Sequence, residues 1–132
     1  MRLVIFLILI LSNSSLEAES WKREASGFSN VESFQFDDKK VIHYKNTTTW
    51  KDTLGNYGTS KCFGLIVSND RDEIAEYKMY CNFLDQDEQS FTHQYYRETD
   101  YAGGVGKSVL IAGEGKWKVN VGMKCTYAIN YF

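Results

Sequence analysis

The chain has 132 residues, with 15 basic against 17 acidic side chains and a formal net charge of −2. This slightly acidic balance, with lysines scattered among the acids, excludes a basic groove for nucleic acid and a surface held to anionic lipid by charge. Aromatic residues make up 15% of the chain and proline is absent, which favours long strands whose hydrogen-bond ladders a proline would interrupt.

Met1-Arg2 precedes an apolar run from Leu3 to Leu11. One charge ahead of such a run is the layout of an export signal. As a helix the run would rise only about 14 Å, roughly half a bilayer core, so stable membrane insertion is not expected. Residues 1–18 therefore read as a signal peptide, cut between about Ser14 and Ser20 on the small-residue rule. The remaining chain is expected to be exported, periplasmic or secreted. About 110 to 115 residues are left, enough for one domain with one modest core. Residues 19–30 are polar and rich in small side chains, and read as a lead-in to a single domain over 31–132.

The first predicted strand starts at Val31, carries Phe34 and Phe36 on one face, and ends at the charged turn Asp37-Asp38-Lys39-Lys40. Val41 to Trp50 forms the second, with threonines that suit extended backbone. Asp52 to Gly58 is punctuated by glycine and asparagine, and Lys61 to Val67 resumes an apolar run. Glu73 to Phe83 alternates strictly, Ala75, Tyr77, Met79, Cys81 and Phe83 sharing one face, which fits a half-buried strand better than a helix. Asp85-Gln86-Asp87-Glu88 lacks the glycine and closing glutamate of a calcium loop and reads as a hairpin turn. Ser90 to Tyr96 alternates again, and Arg97 to Gly104 reads as a loop.

Tyr101 to Ser108 nearly spells a phosphate-binding loop. The motif needs a glycine where Tyr101 stands and a helix after its Lys-Ser pair, yet Ser108 is followed by Val109-Leu110-Ile111-Ala112-Gly113. We therefore read Val105 to Ala112 as a strand. The glycine turn Gly113-Glu114-Gly115 follows, then a last strand, Met123 to Tyr131, with Met123, Cys125, Tyr127, Ile129 and Tyr131 on one face. Seven or eight strands joined by short turns predict an all-β antiparallel fold, a small barrel of about eight strands with a two-sheet sandwich as the alternative.

Of the three cysteines, Cys62 and Cys81 fall on adjacent predicted strands and can face each other across the hairpin, which makes them the disulfide candidates in an oxidising compartment. Cys125 is left unpaired, or is the alternative partner of either. The spacings contain no CxxC pair, so no metal site is assigned. His43 and His93 stand 50 residues apart and form no motif, and the acids lie mostly in turns, so neither catalytic residues nor a cofactor is assigned. The Asn46-Thr47-Thr48 sequon lies within a predicted strand.

The segment Gly113-Glu114-Gly115-Lys116-Trp117, with Gly122 and Thr126-Tyr127 behind it, resembles a signature of small exported bacterial proteins related to the allene oxide cyclase and dirigent barrels. Lys61-Cys62-Phe63-Gly64, and Cys81 followed by Asp85, are similar to the cysteine-bearing strands of such proteins. The resemblance implies an eight-stranded antiparallel barrel. Val119 stands where these segments often carry another glycine, and no residues match the catalytic sets of the plant enzymes, so the resemblance brings a fold and no active site.

The tyrosines and tryptophans exceed what one small core usually needs, and a barrel mouth lined by them suits apolar or ring-shaped molecules. Tyr77, Tyr95 and Tyr127 are the candidate ligand-lining aromatics. The expected function is non-catalytic binding of a small apolar ligand or a protein partner. A cofactor-free cyclase or isomerase and a structural envelope-associated protein are the alternatives. The sequence leaves the oligomeric state and the identity of the ligand open.

Overall fold

The computed structural model describes residues 20–97 and 104–130. The expected signal peptide, the Tyr101–Gly103 part of the near phosphate loop and Tyr131 lie outside the described residues. Seven strands follow one another: β1 (Arg23–Phe36), β2 (Lys39–Asp52), β3 (Tyr57–Asn69), β4 (Ile74–Asp85), β5 (Ser90–Tyr96), β6 (Gly104–Gly113) and β7 (Lys124–Ile129). A short 3₁₀ helix, Gly115–Asn120, connects the last two. Each strand pairs antiparallel with its neighbour in sequence, in the order β1 to β7, and the sheet curls into a half-barrel. The all-β antiparallel expectation holds, with seven strands in a curled sheet whose two edges are β1 and β7.

Three of the hairpins are closed by the same device. Asp52, Asn69 and Asp85 each end a strand, and each side-chain Oδ1 accepts the backbone N–H groups two and four residues on, at 2.9 Å in every case. Three residues after each one, Gly55, Asp72 and Glu88 adopt φ of 84°, 60° and 59°. This is a three-residue loop built from a turn and one left-handed residue, with an acid or amide tying the turn shut. The Asp85–Glu88 segment is thus the hairpin turn expected of it.

Alternation along the strands produces a buried concave face and an exposed convex one. Ile42, Tyr44 and Trp50 of β2, Cys62 and Ile66 of β3, Met79, Cys81 and Phe83 of β4, Phe91 of β5 and Leu110 of β6 form the core together with Trp117. The sequence pattern misplaced the start of β1. Arg23 to Asn30, read as lead-in, is strand and pairs with Lys45 to Asp52. Its Ala-Ser-Gly-Phe-Ser-Asn composition hides the alternation because no large apolar side chain marks the concave side. Gly104, Gly106, Lys107 and Ser108 lie on β6. The Tyr127 ring lies over Gly106, where a Cβ would displace it.

Cys62 and Cys81 are directly opposite on β3 and β4 and are joined by a disulfide, while Cys125 is free. Among the described residues no helix is long and apolar enough to cross a membrane.

Candidate functional site

The concave face has two ends. At one, Trp50, Phe83, Phe91 and Trp117 form a closed aromatic floor: Phe83 and Phe91 stack at 4.8 Å, and Trp117 lies 4.1 Å from Phe91. Trp50 meets Phe91 edge-on at 5.4 Å and donates its indole N–H to the Thr59 carbonyl at 3.0 Å. Both arrangements are favourable for rings carrying a quadrupole.

The Gly-x-Gly-Lys-aromatic segment locks this floor. Trp117 Nε1 donates to Asp85 Oδ2 at 2.8 Å, and Lys116 Nζ lies 2.9 Å from the same carboxylate and from Asp87. Burial favours the neutral acid. The Lys116 ammonium, the Gln89 N–H, the Trp117 indole and the Asp87 N–H outweigh it and hold the Asp85 carboxyl at about 2. Both features quoted for the family resemblance, Asp85 and Lys116-Trp117, therefore meet in one structural clamp.

Arg23 crosses the floor from the edge strand. Its guanidinium carbon lies 3.8 Å from the Phe83 ring centre and Nη2 donates to the Tyr95 hydroxyl at 3.2 Å. This is a cation–π contact partly sheltered from water, which strengthens it over an exposed one. Burial lowers the Arg23 pKa from its ordinary value, and Tyr95 is the largest influence opposing that shift. The Tyr95 phenol is pushed up by burial against the pull of Arg23.

Beyond the floor the register stacks His93 and Leu110, then Met79, Tyr95, Ser108 and Cys125, then Tyr77, Gly106 and Tyr127. The three tyrosines named from the sequence thus share the concave face and the end remote from Trp50. Tyr95 and Tyr127 meet edge-on at 4.9 Å, and the Tyr77 hydroxyl reaches the Met79 sulfur at 3.8 Å. His93 is fully buried, with Nδ1 3.2 Å from Ser108 Oγ. Burial, reinforced by the Arg23 charge, drops its pKa to about 3, so the imidazole is neutral at physiological pH. Burial also raises the Cys125 thiol, with Arg23 and Ser108 pulling the other way. A neutral imidazole, a protonated thiol and a protonated phenol supply hydrogen bonds, and Arg23 supplies fixed charge. This set offers shape and polarity rather than a proton-transfer pair.

The two histidines are not brought together, since His43 lies on the convex face opposite Glu32 and Leu65. Asn46 of the sequon points into the concave side and donates to Ser29 and Tyr44 at 3.2 Å, which is no posture for a glycan. A hollow of about 470 Å³ lies at the β1–β2 edge against Glu24, Ala25, Ser26, Thr49, Trp50 and Lys51, away from the tyrosines.

Arg23 escaped the sequence reading, and neither the partnership of Ser108 with His93 nor the clamp role of Asp85 was foreseen. Asp85 was readable, as the third member of the Asp52 and Asn69 turn pattern. Arg23 was not, because its contacts with Phe83 and Tyr95 span 60 and 72 residues. No family model, curated protein or solved structure matches the chain.

Proposed function

We propose that this protein is a non-catalytic binding protein whose concave face takes a small apolar ligand at its tyrosine end. The observation that supports this most directly is the gathering of Tyr95, Tyr127, Met79 and Cys125 beside an aromatic floor that is already filled by its own rings. Tyr and Trp offer flat apolar faces with polar tips, which suits ring-shaped ligands. The absence of a near-neutral acid–base group among His93, Tyr95 and Cys125 favours binding over the cyclase or isomerase alternative. Export into an oxidising compartment belongs to the same proposal, supported by the Cys62–Cys81 bond. Kinship with the allene oxide cyclase and dirigent barrels is likewise proposed, on the clamp segment alone. Native mass spectrometry of protein recovered from its source tests the reading: a retained small organic molecule is expected, and a clean apo protein that also fails to take up apolar aromatics would refute it.

A second reading, a protein partner, is favoured by the edge strand β1, whose convex side shows Phe28 at 88% and Phe34 at 64% exposure. An unpaired edge bearing apolar side chains is a template for an added strand.

A further inference from the structure

Among the described residues, six buried side-chain atoms have no hydrogen-bond partner: Arg23 Nη1, Asn46 Oδ1, Ser68 Oγ, His93 Nε2, and Nε and Nη2 of Arg97. The arginines stand apart from the others because each combines unmatched donors with a full charge. Arg97, which follows β5, is only 5% exposed. An unpaired charge or donor held away from water is strongly unfavourable, so such groups ordinarily face a counterion.

Among the described residues no acid lies within ion-pair distance of either arginine; Asp52, across the ladder from Arg23, acts on it through charge alone, and Arg97 has no such neighbour by register. The ion pairs there are all made by lysines, Lys51, Lys78 and Lys116. By register, Asp52 and Asp85 are the described acids of the concave face, and both are engaged at the floor. Asp52 receives the Trp21 indole, the Asn56 amide and two turn N–H groups, and Asp85 receives Lys116 and Trp117. Neither accepts a hydrogen bond from an arginine.

Tyr95 relates the two cations. Arg23 donates to its hydroxyl, and Arg97 follows it by two residues on the same strand line, hence on the same face. Nε and Nη2 of Arg97 are the adjacent donors along one edge of the guanidinium, the pair that matches the two oxygens of a carboxylate. A water molecule can satisfy one of these donors but brings no charge. A carboxylate satisfies two and neutralises the site.

We infer that Arg97 and Arg23 receive the carboxylate of an aromatic monocarboxylic acid whose ring lies against Tyr95 and Tyr127. This rests on the binding function proposed above and specifies the chemical class of ligand. The edge-on tyrosine pair supports the ring, and the unmatched Nε and Nη2 of Arg97, with Nη1 of Arg23 on the same concave face, support a single acid group.

The test compares 2-naphthoate with 2-naphthalenemethanol, which share the ring and differ in charge, by calorimetry at neutral pH on the chain purified with its Cys62–Cys81 bond formed. The acid is expected to bind at least about ten-fold more tightly, the scale of charged hydrogen bonds in a sheltered site. The Arg97 Nε–Hε signal is expected to shift in nitrogen–proton spectra with the acid and not with the alcohol. R97Q should bring the two affinities together. Equal binding of acid and alcohol by the native protein overturns the inference and leaves the apolar site standing. So does a preference for the acid that survives in R97Q. If neither compound binds, the ligand-binding function falls with it.

Discussion

Asp72 and Glu88 hold left-handed backbone at φ 60° and 59°, in the position that Gly55 fills in the sister loop at 84°. A side chain is unfavourable there by roughly 1 to 2 kcal/mol, so Asp72→Gly and Glu88→Gly should each stabilise the fold by about 0.5–1 kcal/mol once the added freedom of the unfolded chain is subtracted. Gly55→Ala should do the reverse. Urea denaturation midpoints would check all three. The buried titratable groups set the acid behaviour. The Asp85 pKa, about 2 when folded, lies below its ordinary 3.8, so its contribution is present at neutral pH and is lost as pH falls from about 4 through 2. His93 is a base lowered from 6.5 to about 3, so the unfolded chain binds its proton first and stability drops between those pH values by up to about 1.4 kcal/mol per pH unit. Replacing His93 with Gln should flatten that stretch of a stability–pH profile. An unchanged slope would show that another group governs it.

At the scale of elements, the disulfide and the edge strand are opposites. Cys62 and Cys81 tie β3 to β4 across 19 residues, in the middle of the sheet. Closing a loop of that size removes unfolded-state freedom, and reduction should lower stability by about 3 kcal/mol, read from melts with and without reductant. Strand β1 is as long as β2 and fully paired with it, but Ala25, Gly27, Ser29, Val31 and Ser33 on its concave side are exposed. It is held by the backbone ladder and by Arg23, without a packed side-chain layer. Hydrogen exchange should therefore be fastest in β1 and slowest in β3 to β5, around Cys62, Cys81 and His93. The exposed Phe28 and Phe34 make the same strand the expected site of association, and Phe28→Lys with Phe34→Lys should suppress concentration-dependent scattering. Equal scattering by the native protein and the double variant would locate the sticky surface elsewhere.

On the scale of the whole molecule, one curled sheet divides its labour along the strand direction. The Trp50 end is closed by stacked rings and by the Asp85, Lys116 and Trp117 clamp. The other end keeps polar tips, a free thiol and Arg97, whose Nε and Nη2 have no hydrogen-bond partner among the described residues. Asp85→Asn tests the coupling of clamp to floor. It weakens the ion pair while keeping the side chain's shape and should lower stability by a few kcal/mol, with the loss of tryptophan near-ultraviolet circular dichroism reporting the floor. A variant that melts as the native protein does would mean the clamp is ornamental.

Strict alternation from Ala75 to Phe83 and from Phe91 to Tyr95, the polar turns between them and the facing of Cys62 with Cys81 are local or nearest-neighbour patterns, so the all-β antiparallel class, the disulfide and the shared face of Tyr77, Tyr95 and Tyr127 could be read from the chain alone. Strand β1 from Arg23 to Asn30 was not legible, because small and polar residues take a strand only when a neighbour offers them a ladder. Contacts that cross the concave face were hidden for a different reason. Arg23 meets Phe83 and Tyr95 across 60 and 72 residues of sequence, and Asp85 meets Trp117 across 32. Periodicity assigns a side chain to a face, whereas the curl of the sheet decides which side chains of that face touch, and burial then fixes their charge.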